Sequence, residues 1–180
     1  PISLSKFATL RPPNCVTVDR KGSHNVCVCT YHQNPKLMLD GAPGNLDIND
    51  LLAKVVCNVS GRECMVHRCD VCPGASSLSA YLSDHFASHD YSEEDVVTYR
   101  QWVHVDRDEL ITSVCNVKEY IEKLTDAVDQ LTTHHYIAKA QGRYYKQVKE
   151  NLTDSQALVT LDFAENYTFL IQDAIQGFHW

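Results

Sequence analysis

This 180-residue sequence lacks long apolar runs, an excess of basic residues and a start typical of secreted proteins. No apolar run approaches the ~20 residues that a membrane-spanning helix needs, so we expect no membrane partner. The formal net charge of −7 argues against a surface dedicated to nucleic-acid binding. The chain begins at Pro1, without Met and without a charged or apolar leader region. We therefore expect an intracellular protein, and a fragment or processed product.

Cysteine, by contrast, is abundant, with eight Cys beside nine His. Seven of these residues follow the patterns C-x-C-x2-H and C-x2-H-x-C-x2-C: Cys27, Cys29, His32, Cys64, His67, Cys69 and Cys72. Thiolate and imidazole groups at such spacings can point inward from one turn, which suits a tetrahedral metal. We expect structural zinc, because sulfur combined with nitrogen selects zinc over calcium or magnesium.

The ligand set stays open at this point. The least strained set takes Cys29 and His32 from the first segment and a Cys pair from the second, Cys69 and Cys72. Ligand exchange or a second ion would use the remaining Cys27, Cys64 and His67. The candidate metal ligands are therefore Cys27, Cys29, His32, Cys64, Cys69 and Cys72.

A disulfide framework is the alternative interpretation. Three further residues, Cys15, Cys57 and Cys115, bring the number of cysteines to an even eight. Three N-x-S/T sequons, at positions 58, 151 and 166, would fit a secreted protein. However, a chain of this length can bury a core without covalent cross-links, and a disulfide framework gives no role to the interspersed His residues. Spacing therefore favours zinc.

Local patterns predict several short elements. Alternating β-branched residues predict a strand at 26–31, and a second aromatic and β-branched run predicts a strand at 96–105. Helical spacing predicts helices at 47–56, with Asp47 as N-cap, and at 77–86.

The clearest periodic pattern follows. Apolar residues repeat at steps of four and three: Leu110, Val114, Val117, Ile121, Leu124, Val128 and Leu131. We call this set the heptad seam, and it predicts one long helix or a helix hairpin over 110–152. Asp106 and Glu109 resemble a capping box at its start. The seam suits either a homodimer interface at 110–131 or packing within the chain, and both stay open.

Two later features concern possible metal chemistry. Adjacent His134 and His135 point about 100° apart on a helix, so we expect surface or core histidines there. An apolar strand at 157–162 ends at Asp162, where a carboxylate is well placed for metal-assisted chemistry. A turn cap is the alternative role for Asp162.

Six stretches of the sequence carry a family resemblance: 7–12 (FATLRP), 27–34 (CVCTYHQN), 64–74 (CMVHRCDVCPG), 131–140 (LTTHHYIAKA), 161–167 (LDFAENY) and 176–180 (QGFHW). They resemble segments of transposon-derived proteins that are abundant in invertebrate genomes. Longer members of this group look like DDE-type transferases with an RNase H fold. The resemblance places Asp162 at the first catalytic Asp, in a chemistry in which three carboxylates hold two magnesium ions.

Together these patterns and the resemblance imply an α+β chain in four parts. Residues 1–74 would form a zinc module, 75–109 a mixed helix and strand region, 110–152 the long helical segment, and 153–180 the first β-hairpin of an incomplete RNase H-like domain. The remaining catalytic carboxylates are absent from this sequence. The chain as given is therefore expected to lack complete catalytic machinery.

The implied function is that of a nuclear transposase-like fragment whose zinc module serves folding or contact with DNA or protein. Residues 1–72 hold eight Lys/Arg and six Asp/Glu, a net of +2, so this region is best suited to meet DNA. The alternative is a domesticated zinc-binding module that binds proteins and has no catalytic activity.

Overall fold

The computed structural model describes residues 29–106 and 108–159, which form five helices and a two-stranded antiparallel sheet. The elements in chain order are α1 (Thr30–Leu39), α2 (Ile48–Val55), α3 (Arg62–Met65), α4 (Gly74–Ser88), β1 (Val96–His104), β2 (Asp108–Asn116) and α5 (Val117–Glu150). This mixed architecture, with one long helix, confirms the coarse α+β prediction. No described helix is both long and apolar enough to cross a membrane.

Helices α2 and α4 lie where the apolar periodicity predicts them. The Asp47 carboxylate accepts a hydrogen bond of 2.8 Å from the backbone N–H of Asn49, which satisfies a first-turn donor of α2. Leu51, Leu52 and Val55 then face the core. In α4 the buried residues follow one another at steps of four: Leu78, Leu82 and Phe86. Local sequence and tertiary packing therefore agree in both helices.

The sheet confirms one predicted strand and corrects two other predictions. Strand β1 pairs with β2 in a register that runs from Val96 opposite Asn116 to His104 opposite Asp108. Residues 110–116, predicted as the start of the long helix, therefore form a strand. Their β-branched residues pair across the sheet with β1. The strand predicted at 26–31 also differs, because Thr30 and Tyr31 begin α1.

The long helix begins seven residues later than the heptad seam. Its N-cap is Asn116, whose side-chain oxygen accepts a 2.8 Å hydrogen bond from the N–H of Glu119. The capping box predicted at Asp106 and Glu109 is wrong, because Glu109 lies in β2. From the N-cap onward the chain continues as one 34-residue helix, which selects a single long helix over a hairpin.

Replacing Asn116 by Ala should lower the free energy of unfolding by about 1 kcal/mol, because the first turn of α5 loses its side-chain acceptor. Urea denaturation measures this difference. Asn116→Asp is the matched control, since it keeps an acceptor and should stay within a few tenths of a kcal/mol of wild type. An alanine variant as stable as the aspartate variant would contradict the capping role.

The core lies where α5 packs against the other elements. Five residues of the heptad seam are at most 5% exposed and belong to this core: Val117, Ile121, Leu124, Val128 and Leu131. The other two, Leu110 and Val114, lie on β2 and are 38% and 64% exposed. The seam of α5 therefore packs inside the chain. A homodimer stays a prediction and would have to use other surfaces.

Some predictions fall beyond the part of the chain that the structure describes. These are the ligand candidate Cys27, the catalytic candidate Asp162, the beginning of the 26–31 strand and, from position 160 onward, the hairpin expected at 153–180. Residues 157–159 belong to neither a helix nor a strand.

Candidate metal centre

Four cysteines lie together on one side of α5. The Sγ atoms of Cys57, Cys64, Cys69 and Cys72 are all within 4.8 Å of one another, and we call this group the four-thiol cluster. The Sγ of Cys57 is 3.4 Å from that of Cys64, 3.8 Å from that of Cys69 and 3.6 Å from that of Cys72. All four cysteines are free thiols. Three of them, Cys64, Cys69 and Cys72, were predicted ligands.

These spacings match a tetrahedral metal site. A Zn–S bond of about 2.3 Å gives sulfur–sulfur edges of about 3.8 Å in a tetrahedron. A disulfide would bring two sulfurs to about 2.05 Å. The measured distances from Cys57, 3.4–3.8 Å, lie close to the tetrahedral value and far from the disulfide value. The donor set and the geometry therefore fit zinc held by four thiolates.

Tight turns around α3 bring the thiols together. Cys57 directly follows the C-cap of α2, whereas Cys64 lies within the short helix α3 and is buried. The chain leaves α3 through His67, which has a φ of 55°. The N–H of Arg68 donates to Glu63 O at 2.7 Å, and the N–H of His67 donates to Cys64 O at 3.2 Å. This helix-ending pattern reverses the chain.

The next turn completes the cluster. The N–H of Cys72 donates to the carbonyl of Cys69 at 3.3 Å, so that both thiols face the same side. The backbone N–H of Cys57 also donates to Cys72 Sγ at 3.4 Å, as is common for thiolate ligands. His67, a candidate ligand by spacing, instead places Nε2 3.8 Å from a carboxylate oxygen of Asp129 on α5. His67 therefore lies outside the four-thiol cluster, at the turn that follows α3.

Electrostatics within the four-thiol cluster favour a cation at its centre. Hydrogen bonding by the Cys64 thiol, and then by Cys72, raises the pKa of Cys57 to about 12. The backbone amide of Val71 and the thiol of Cys72 lower the pKa of Cys69. Cys69 therefore ionises more readily than an isolated cysteine, whereas Cys57 ionises less readily. A divalent metal supplies the positive charge that four thiolates require.

The remaining predicted ligands lie in a second group. Cys29 and His32, at the beginning of α1, meet His134 of α5, and their ligand atoms all lie within 4.8 Å of one another. We call this the Cys–His cluster. The set predicted as least strained, which combined Cys29 and His32 with Cys69 and Cys72, is thus divided between two places. The physical reason is that α5 and α1, rather than the 57–72 segment, surround Cys29.

The surroundings of His32, one of the two histidines in the Cys–His cluster, favour its neutral form. Partial burial, and then the charges of His134, His135 and Lys139, lower the pKa of His32 to about 4. Burial, together with Lys139 and His134, also lowers the pKa of His135. Neutral imidazole is the form that binds metals.

Sequence reasoning missed two residues of these clusters, Cys57 and His134. Cys57 lies seven positions before Cys64, outside the short repeated spacings. An available signal was its position directly after the predicted helix at 47–56, next to the second cysteine segment. His134 lies 105 positions from Cys29, so no local pattern could pair the two.

Comparison with known proteins places the chain in a family. No curated protein and no solved structure matched the sequence. Two family models match the chain. One, described as Domain of unknown function (DUF8701), matches residues 141–180. The other, described as Domain of unknown function (DUF8700), matches residues 30–132, which include the whole four-thiol cluster. Because this match spans more than half of the 180 residues, the chain belongs to the family described as Domain of unknown function (DUF8700).

Proposed function

We propose that the four-thiol cluster binds a structural zinc ion and that this ion stabilises a contact module in a transposon-derived protein. The observation that carries the zinc assignment is the approach of four sulfur atoms to within 4.8 Å of one another. Zinc bound by four cysteines has a closed coordination shell. No position then remains for a substrate, so the role of this ion is structural.

The expected effect of zinc is to fasten the segment between α2 and α4 to the long helix. Within this segment Cys64 and Met65 are 8% and 1% exposed. The hydroxyl of Thr133 on α5 donates to the carbonyl oxygen of Met65 at 3.1 Å. Apart from α3, with four residues, positions 57–73 contain no regular element. A metal ion therefore replaces the packing that such a short segment cannot supply alone.

The wider function follows from the sequence resemblance. We infer that the module belonged to a DDE-type, RNase H-like transposase, in which it served DNA or protein contact and nuclear action. In longer relatives, magnesium would be held by the counterpart of Asp162 and by carboxylates that this sequence does not contain. What supports the proposal is the number of resembling segments, which extend from positions 7–12 to 176–180.

The second candidate is a domesticated protein-interaction module without catalysis. Its support is a set of exposed apolar residues on one face of the sheet. Val96 and Val114 are 66% and 64% exposed, and Leu110 lies on the same face at 38%. Exposed apolar groups on one face can contribute to a contact with a protein. This candidate uses the same structural zinc ion.

Metal content tests the zinc assignment. We expect the full chain, purified under reducing conditions, to retain zinc in native mass spectrometry. Cys69→Ser should carry one zinc ion fewer than the control Cys115→Ala, whose thiol lies outside the four-thiol cluster. A wild-type mass with four disulfides and no metal, or equal zinc content in the two variants, would rule out the assignment.

The reading frame that follows Trp180 separates the two wider functions. Two further carboxylates at strand ends would support the transposase ancestry and its magnesium chemistry. A stop codon directly after Trp180 would favour the interaction module. Electrophoretic mobility shifts with random-sequence DNA at low salt provide the biochemical counterpart, since a contact with DNA belongs to the first candidate alone.

A further inference from the structure

The Cys–His cluster joins two segments that are far apart in the chain. Cys29 Sγ lies 3.4 Å from Nδ1 of His32 and 3.2 Å from Nε2 of His134. In a tetrahedral zinc site, bonds of about 2.3 Å to sulfur and about 2.0–2.1 Å to nitrogen give sulfur–nitrogen edges of about 3.5 Å. Both sulfur–nitrogen distances are thus close to those that a bound metal would impose.

The two adjacent histidines of α5 contact different partners. His134 turns Nε2 toward Cys29, whereas the Nδ1 of His135 lies 3.2 Å from Nε2 of His32. Each imidazole nitrogen of His32 therefore has its own partner, with Nδ1 facing the sulfur and Nε2 facing His135. Metal-bound histidines almost always use their second nitrogen in such an outer hydrogen bond, which fixes the ring and its tautomer.

Ring packing holds the same arrangement in place. The ring of Tyr31 stacks on that of His134, with centroids 4.7 Å apart, and the rings of His32 and His134 meet edge to face at 5.0 Å. All three donor residues are partly buried. Because the residues come from the first turn of α1 and from α5, the donors are positioned on helices rather than on loops.

We propose that Cys29, His32 and His134 bind a second zinc ion, whose fourth coordination position the described part of the chain leaves to water or another small donor. Among the described residues, no fourth side chain joins these three within 4.8 Å. Three protein ligands and one exchangeable position distinguish this ion from the one in the four-thiol cluster, which is fully coordinated by protein.

A cleft lies next to the segment that carries the first two ligands. It has a volume of about 330 Å³, and its lining includes Thr30, Tyr31, Asn34, Trp102 and His104. Thr30 and Tyr31 are the two residues between the ligands Cys29 and His32. We infer that the exchangeable position accepts a small donor molecule of the size of imidazole or a thiol.

The second ion would also attach α5 to the rest of the chain beyond its buried part. The last buried residue of this helix is Thr132, and the residues that follow are partly or fully exposed. An ion at His134 would attach the helix to α1 just beyond that point. The second ion would therefore protect the backbone around 133–138 from hydrogen exchange.

Cobalt titration of the full, reduced chain tests the proposal, because Co²⁺ replaces zinc and reports its ligands by absorption. We expect two equivalents to bind wild type. His134→Ala and Cys29→Ser should each bind one and keep the strong charge-transfer band of the four-thiol cluster. His135→Ala should keep two sites but bind the second ion about 10–100-fold more weakly, because the outer hydrogen bond is lost.

Two control variants distinguish metal binding at one site from metal binding at the other. Cys69→Ser should lose the ion of the four-thiol cluster and keep that of Cys29, so the two assignments can fail separately. The exposed histidine variant His89→Ala should bind two equivalents like wild type. One equivalent in wild type, or two in His134→Ala, would overturn the second site.

Added imidazole tests whether the fourth coordination position accepts an external ligand. It should shift the visible cobalt bands of wild type and of Cys69→Ser, and leave those of His134→Ala unchanged. Unchanged bands in Cys69→Ser would refute an open coordination position. Circular dichroism spectra like that of wild type establish that each variant is folded.

Discussion

Replacing Cys57 by Ser should lower the melting temperature of the protein by about 6–12 °C, because about 3 kcal/mol of stability is lost and each kcal/mol shifts the melting temperature of such a chain by about 2–4 °C. Structural zinc contributes about 10–16 kcal/mol to the folding of small zinc peptides, so removing one of four thiolates can easily cost this amount. Circular dichroism in reducing buffer measures the melting temperature.

A chelator identifies zinc as the cause. It should lower the melting temperature of wild type and of the control Cys115→Ala, but change that of Cys57→Ser little, because this variant has already lost the ion. Cys115 is buried in the core and belongs to neither cluster, so its variant reports ordinary packing loss. A chelator-insensitive wild type, or a Cys57→Ser variant that melts like Cys115→Ala, would contradict a stabilising metal.

Hydrogen exchange should show which segments lose stability in Cys57→Ser. The segment between α2 and α4 has little packing apart from Cys64 and Met65, so its amides should lose protection first in Cys57→Ser. Strand β1 and the first turns of α5 should keep theirs, because they pack through Val97, Tyr99 and Tyr120. Uniform loss along the chain would instead indicate that zinc stabilises the whole core.

The sequence predicted well those helices whose capping and apolar residues lie close together in the chain. Helix α2 has its N-cap, Asp47, and its apolar spacing within about ten residues, and the structure adds only the surface on which it packs. Helix α4 and strand β1 behave in the same way. Such elements can be read from sequence because the residues that define them are neighbours.

Strand β2 shows where this reasoning stops. Leu110 and Val114 are four residues apart, a distance that places two side chains on one face of a helix and also on one face of a strand. The periodicity of the heptad seam could not separate these alternatives. Pairing with β1 decides between them, and the strand then ends at the N-cap Asn116.

The candidate metal ligands divide along a similar line. Spacing singled out Cys64, Cys69 and Cys72, and tight turns of nearby residues bring their thiols together. The fourth thiol comes from the end of α2, and the partner of Cys29 comes from the far part of α5. Short motifs reveal that a segment binds metal, but tertiary packing decides which segments share one ion.

Shortening Leu124 to Ala should lower the free energy of unfolding by about 2–5 kcal/mol, because the change leaves a cavity in a close-packed core. Leu124 is completely buried and lies on the seam of α5 between Ile121 and Val128. Urea denaturation with unchanged m-values would measure the loss.

The same substitution at Leu110 provides the matched control, since both leucines belong to one uninterrupted heptad pattern. Leu110 is 38% exposed on β2, so Leu110→Ala should cost less than about 1 kcal/mol. If the chain were helical from Leu110 onward, as the pattern alone predicts, the two variants would lose similar amounts. A clear difference between them therefore tests the position of the strand-to-helix boundary at Asn116, independently of any metal.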